Sequence, residues 1–319
     1  MRPKIYLFGD SITEASFADG GWGSSLANHF SRTADVVLRG YSGYNTRWAL
    51  KVKEKVLHPS ESSRSPAAVL VFFGANDACI PDRSSAFQHV PLEEYKQNLH
   101  AIVAFLKKQW PSSCILLITP PPIDEAARLL HPLSDNSSGL SERTNEAAGN
   151  YSKACLAVAS ECGVAAVDLW TKMQQFPGWQ KAYLVYMCFF FCSKYFHCNR
   201  VNPGTKWGDR IIFGERIRSS HPHPPSPFYQ IILFGLWYVI RIIISCNIQS
   251  YSLKRRDGLH LTEKGSKVLF EEVVARLKEE GISLESLPVD QPLLSDIDAE
   301  DPLKSFENCY LRYEGGGMR

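Results

Sequence analysis

Ser11, Gly43, Asn76, Asp257 and His260 are the residues of this chain whose types and spacing could carry acyl transfer. Ser11 stands in "FGDSITE" (8–14). A serine hydroxyl is a weak nucleophile until a base takes its proton, and the base must be oriented by a third group. The chain offers one Asp-x-x-His, "DGLH", which holds Asp257 and His260. That spacing can set a carboxylate and an imidazole side by side on one turn. Acyl transfer also needs donors aimed at the developing oxyanion. Gly43, in "RGYSGYNT", can bring its backbone N–H close to a ligand because it has no side chain, and Asn76, in "FFGANDA", offers an amide. Each residue has a plainer reading. Ser11 can cap the segment after it, with Glu14 completing a capping box. Gly43 can be a turn glycine, Asn76 an Asx turn, and His260 an ordinary surface residue.

The elements around these residues favour the chemical reading. "KIYLF" (4–8), "DVVLR" (35–39), "AVLVFF" (68–73), "CILLI" (114–118) and "VAAVD" (164–168) read as strands buried on both faces, as in a parallel sheet. Between them lie helix-like stretches. In "LEEYKQNLHAIVAFLKKQW", Leu92, Tyr95, Leu99, Ile102, Val103 and Leu106 recur at helical spacing before Pro111 ends the run. A last helix is expected over 263–281. Strand and helix alternating through short links predict a doubly wound, three-layer α/β domain. Ligands gather beyond the carboxyl ends of such strands. Ser11, Gly43 and Asn76 close the first three strands in order, and Asp257 and His260 lie in the loop before the last helix. Asp10 and Asp77 read as acceptors that fix their loops.

Two segments fall outside this pattern. Residues 185–254 hold eight Lys/Arg against two acids, Asp209 and Glu215, and are rich in aromatics. They interrupt the domain expected over 1–284, and their ends fit an unspliced intron. Val185 requires a GT-initial codon, Lys254 can be encoded by AAG, and 70 residues keep the reading frame. The 19-residue apolar run 228–246 is long enough for a membrane span. It carries Arg241, which costs about 2.5–3.5 kcal/mol at a helix centre. A single crossing there would also put Ser11 and His260 on opposite sides of a bilayer, so no span is expected. Cys188, Cys192, His197 and Cys198 have irregular spacing for zinc, and no metal is expected. From 285 to 319 the chain is rich in Pro, Gly and acids without periodicity, and it reads as a disordered tail.

Composition sets the remaining bounds. Of 319 residues, 45% are hydrophobic and 21% charged, and the formal net charge is +2. Nothing here calls for a nucleic-acid partner or an anionic membrane surface. Nine cysteines, an odd number without disulfide spacing, favour a reducing, cytoplasmic setting, in which the sequons "NSS" and "NYS" go unused. "MRPKIYLFGDS" runs straight into the first strand, with no leader expected.

Taken together, "FGDSITE", "GYSGYNT", "GANDA" and "DGLHLT" resemble the four blocks of the SGNH (GDSL-type) hydrolase superfamily. "SGYNTRWAL", "FGANDA" and "LITPPPID" further resemble its isoamyl acetate-hydrolysing esterase branch, the plant form in particular. The likeness covers roughly 1–184 and 255–281. It implies a flavodoxin-like α/β/α sandwich with about five parallel strands. It also implies Ser11 as nucleophile, His260 as base and Asp257 as its orienting group. The oxyanion hole would join the N–H groups of Ser11 and Gly43 to the Asn76 side chain. The resemblance implies a serine esterase acting on short-chain or acetyl esters without a cofactor. An acyltransferase using the same residues, and a protein disabled by the 185–254 insertion, are the alternatives.

Overall fold

Side chains alternate along each strand between two faces, and that alternation builds the molecule in three layers. The protein was described from a computed structural model covering residues 2–57, 65–130, 139–184 and 257–307. Strands β1 (Lys4–Gly9), β2 (Asp35–Gly40), β3 (Ala68–Phe72), β4 (Cys114–Ile118) and β5 (Ala165–Val167) form one sheet in the order β2-β1-β3-β4-β5. Every neighbouring pair is parallel. The helices that cover the sheet or carry the site are α1 (Ser11–Glu14), α2 (Trp22–His29), α3 (Thr46–Val56), α4 (Leu92–Gln109), α5 (Glu125–Leu130), α6 (Asn145–Cys162), α7 (Leu169–Gln174), α8 (Trp179–Tyr183) and α9 (Glu263–Glu279).

On one face Ile5, Leu7, Leu70 and Leu116 pack with Trp22 and Leu26 of α2 and with Leu269 and Val273 of α9. On the other face Tyr6, Phe8, Val69, Val71 and Leu117 pack with Ala49 of α3, Leu99 and Ile102 of α4 and Val158 of α6. The helices turn apolar stripes inward for the same reason that the strands alternate. In α4, Tyr95, Leu99, Ile102, Val103 and Leu106 are all buried, with Glu93 and Glu94 in the first turn and Lys107 and Lys108 in the last. The expected three-layer α/β/α sandwich with five parallel strands is the observed fold. Its strand order reverses between β1 and β3, and in this topology a ligand site opens at that switch point, beyond the carboxyl ends of the strands.

All described residues lie in the unit formed by Met1–Tyr186 and Arg255–Arg319. The expected insertion, 185–254, lies outside the described residues, but both of its flanks are fixed. Leu184 makes an antiparallel bridge with Leu261. Thr262 donates from its backbone N–H to Tyr183 O at 2.9 Å and from its hydroxyl to Ala182 O at 2.7 Å. Residues 182–184, just before the insertion, thus pair with 261–262, a few residues after it. We expect a chain lacking 185–254 to fold and to unfold cooperatively within a few degrees of the parent. Loss of the cooperative thermal transition in that deletion would contradict this reading of the junction.

The stretch after 285 departs in part from the disordered tail expected of it. Leu287 packs against the α2/α9 core. Asp290 receives hydrogen bonds from Arg2 Nε at 2.7 Å and Arg32 Nε at 3.0 Å, and its own N–H donates to Arg32 O at 3.2 Å. Arg32 Nη2 also donates to the carbonyls of Gln291 and Pro292 at 2.8 and 3.2 Å, so the contact rests on one leucine, one aspartate and backbone groups, and no periodic face announces it in the sequence.

Candidate active site

β1 ends in Gly9, and Asp10 then caps the single turn α1. Asp10 Oδ1 accepts from Ile12 N at 2.9 Å. Asp10, and not Ser11, is therefore the capping residue, and the Ser11 hydroxyl is left for other work. Glu14, offered by the sequence as the partner in a capping box, instead receives the Ser42 N–H at 2.5 Å. The indole N–H of buried Trp22 donates to Ile12 O at 3.1 Å and pins the turn to α2. As the first residue of α1, Ser11 also has a backbone N–H without an acceptor inside its own helix.

The loop before α9 supplies the other side. Asp257 Oδ1 accepts from Leu259 N at 3.1 Å and from His260 N at 3.0 Å. Asp257 Oδ2 lies 2.5 Å from His260 Nδ1, and His260 Nε2 lies 2.8 Å from Ser11 Oγ. Residues 249 positions apart thus form one hydrogen-bonded row from carboxylate through imidazole to hydroxyl. Gly258 makes the turn possible with φ +69°, and a Cβ there would stand 2.2 Å from Asp124 O. Burial works to raise the Asp257 carboxyl, but the facing His260 and the nearby Arg128 guanidinium outweigh it and hold the group well below the usual carboxylate range.

Gly43 and Asn76 reach the same switch point from β2 and β3. Gly43 adopts φ +78°, and its carbonyl accepts from Gln88 Nε2 at 2.9 Å. Asn76 is 3% exposed. It donates from Nδ2 to Tyr44 O at 2.8 Å and accepts at Oδ1 from Arg143 Nη2 at 2.9 Å. An amide nitrogen carries two N–H groups, so Nδ2 keeps one beyond its bond to Tyr44. The residues singled out in the sequence thus divide into a Ser11–His260–Asp257 row and two positions, Gly43 and Asn76, on the loops that follow β2 and β3. Among the described residues, no three His, Cys, Asp or Glu side chains gather as a metal site, and no helix is long and apolar enough to cross a membrane. Cys188, Cys192, His197, Cys198 and the run 228–246 lie outside the described residues.

Asp10 and Asp77 do fix loops as expected, and both are buried. Asp77 Oδ1 accepts from the backbone N–H of Thr46 at 2.9 Å and from its hydroxyl. Burial pushes the Asp77 carboxyl up to about 7 and that of Asp10 up to about 6. A carboxyl whose folded pKa is raised holds its proton more tightly folded than unfolded. Its stabilising effect is whole at acid pH and is lost as pH climbs from the ordinary carboxylate range to about 7. Asp77→Asn keeps the acceptor for Thr46 and removes the ionisation. Its melting temperature should rise relative to the parent between pH 5 and pH 8, and a pH-independent difference would refute this account.

Sequence reasoning missed Gln88, Arg128, Glu142 and Arg143, all buried polar or charged side chains behind the site. Helix α5, which carries Arg128, was also missed. "DEAARLL" (124–130) holds its signal, an Asp before a run of helix formers, at a length too short to stand out.

Comparison with known proteins gives the same direction as the geometry. A GDSL-like lipase/acylhydrolase family profile matches residues 5–273. A GDSL esterase/lipase of Arabidopsis thaliana is 51% identical over 309 residues, spanning 96% of this chain and 99% of that protein. An isoamyl acetate-hydrolyzing esterase 1 homolog of Bos taurus is 46% identical over 174 residues, spanning 54% of this chain and 69% of that protein. Among solved structures, a lipase/acylhydrolase from Enterococcus faecalis superposes with a TM-score of 0.52 at 19% identity, covering 92% of this chain and 100% of its own. That last likeness is one of fold.

Proposed function

The chain belongs to the GDSL-like lipase/acylhydrolase family and is a carboxylic ester hydrolase, and from that premise we propose that Ser11 is its nucleophile, His260 its base and Asp257 the group that orients His260. The observation that carries the reading is the row Asp257 Oδ2–His260 Nδ1–His260 Nε2–Ser11 Oγ, with both links within hydrogen-bond reach. Ser11 Oγ attacks the ester carbonyl carbon while its proton passes to His260 Nε2. The negative charge that gathers on the carbonyl oxygen is met by the N–H groups of Ser11 and Gly43 and by the spare N–H of Asn76. Collapse of the tetrahedral intermediate breaks the ester C–O bond, and the alcohol leaves with the proton from His260. Water, deprotonated by the same imidazole, then releases the acid and restores Ser11.

Short-chain and acetyl esters are the substrates we propose. The support is likeness to the mammalian isoamyl acetate-hydrolyzing esterase homolog, 46% identical over 174 residues. The described cysteines, Cys79, Cys114, Cys155 and Cys162, are all unpaired, which fits the cytoplasmic setting we propose.

A phosphonate ester probe tests the nucleophile directly. After digestion, mass spectrometry should find the adduct on the peptide that contains Ser11, and its absence there would remove Ser11 from the mechanism. Adding an alcohol acceptor during turnover tests for acyl transfer, since a new ester in place of free acid would make the enzyme a transferase. Asn76→Ala should lower kcat by about 10²- to 10³-fold, the usual loss for one oxyanion donor. An unchanged kcat would exclude Asn76 from the site.

A further inference from the structure

A row of buried charges runs behind the site and joins its two halves. Arg128 Nη1 donates to the Asp257 carbonyl at 3.0 Å and lies 3.4 Å from Asp257 Oδ2. Its Nη2 meets Glu142 Oε1, and Arg143 Nη1 meets that same oxygen at 3.0 Å. Arg143 Nε donates to Ala75 O at 3.1 Å, while its Nη2 donates to Asn76 Oδ1 and to Gln88 Oε1, both at 2.9 Å. The side chains of Arg128, Glu142 and Arg143 are 4%, 0% and 3% exposed. From Asp257 onward the charges alternate: carboxylate, guanidinium, carboxylate, guanidinium.

Removing four charges from water costs more than an apolar core would, so such a row is weak evidence for stability. Its geometry supports a different use. A guanidinium has five N–H donors and no acceptor, so whatever faces it must present oxygen. Arg143 therefore decides the orientation of two side-chain amides at once. With Oδ1 turned to Arg143, Asn76 must present Nδ2 toward Tyr44 O and the substrate. With Oε1 turned to Arg143, Gln88 must present Nε2, which reaches Gly43 O at 2.9 Å. Flipping either amide would set N–H against N–H in a buried space. At the far end Arg128 holds the turn that carries Asp257. Glu142 binds both guanidinia through one oxygen, so neither can move without disturbing the other.

We propose that Arg128, Glu142 and Arg143 act as one positioning unit that fixes the oxyanion donors and the His260-orienting carboxylate relative to each other. The proposal rests on the roles given above to Asn76 and Asp257. Arg128 and Arg143 touch no reacting atom and act through their neighbours.

A double-mutant cycle separates positioning from support of the fold. The readouts are kcat per phosphonate-labelled serine, KM and melting temperature for the full chain bearing Arg143→Met, Asn76→Ala or both. Arg143→Met should lower kcat about 10²-fold with little change in KM, as expected when a reacting group is misplaced by about an ångström. In the Asn76→Ala background the same change should cost clearly less than in the parent, because one of the two amides it orients is gone and what remains acts through Gln88 and Gly43. Arg143→Lys keeps the charge beside Glu142 but loses the fork. It covers the case in which the methionine variant does not fold, and it should lose about tenfold, again with a smaller loss when Asn76 is absent. Arg128→Met should behave likewise against Asp257→Ala. Equal losses in both backgrounds, or a lower melting temperature with unchanged kcat per labelled serine, would overturn the proposal while leaving the Ser11 mechanism standing. An Asn76→Ala enzyme as fast as the parent would instead remove the oxyanion role of Asn76, and this proposal with it.

Discussion

Ser11→Ala should abolish hydrolysis of a short-chain chromogenic ester, lowering kcat by about 10⁴-fold or more, while the melting temperature stays close to that of the parent. The size of the loss follows from chemistry. Without Oγ no acyl-enzyme can form, and what survives is only the acceleration that oxyanion donors and substrate binding give to attack by water. The retained stability follows from the turn itself. Asp10 makes the capping bond to Ile12 N, Trp22 holds Ile12 O, and the α1 backbone does not use the Ser11 hydroxyl. The bond lost is the one to His260 Nε2. Residual turnover within tenfold of the parent, on protein free of contaminating esterase, would exclude Ser11 as the nucleophile. A large fall in melting temperature would mean instead that the hydroxyl supports the turn.

The fold was legible in the sequence because parallel strands buried on both faces leave an unbroken apolar signature. "AVLVF" is buried at every position, with Ala68, Leu70 and Phe72 serving one layer and Val69 and Val71 the other. The chemical residues were legible for a related reason. They stand on the turns directly after those strands, so locating β1, β2 and β3 also located Ser11, Gly43 and Asn76. What supports them was not legible. Arg128 meets Asp257 across 129 positions, and Arg143 meets Asn76 across 67. In a sequence, "SERTN" reads as a polar helix start, and its Thr144 does cap α6. Nothing local tells that Glu142 and Arg143 in the same five residues are buried, because an isolated charge is normally solvated and only its distant partner makes burial affordable. The tail shows the same blindness to single long-range ion pairs, since Asp290 finds Arg2 and Arg32 only in the folded protein.

Asp257→Asn is expected to lower kcat by about 10⁴-fold with the loop still in place. The substitution preserves size and one acceptor oxygen. That oxygen can still receive the N–H groups of Leu259 and His260, and Arg128 Nη1 can still donate to the backbone carbonyl of residue 257. What changes is the group that faces His260 Nδ1. A carboxylate accepts from Nδ1–H and leaves Nε2 free to take the proton of Ser11. An amide N–H in that place favours the other tautomer, with Nδ1 bare and the proton on Nε2, where it faces the Ser11 hydroxyl and cannot act as base. Stability should move as well, unlike in Ser11→Ala. The Asp257 carboxyl is held below its ordinary range by His260 and Arg128 against the opposing effect of burial. A depressed carboxyl stabilises the fold above the pKa it has in the unfolded chain, and that stabilisation is lost as pH falls through its lower folded value. The asparagine variant should therefore melt below the parent at pH 7, and the gap should narrow as pH falls below about 4. Turnover within tenfold of the parent at pH 7 would remove Asp257 from the mechanism. A melting-temperature gap that widened toward acid pH would show that Asp257 is not the stabilising carboxylate its surroundings make it.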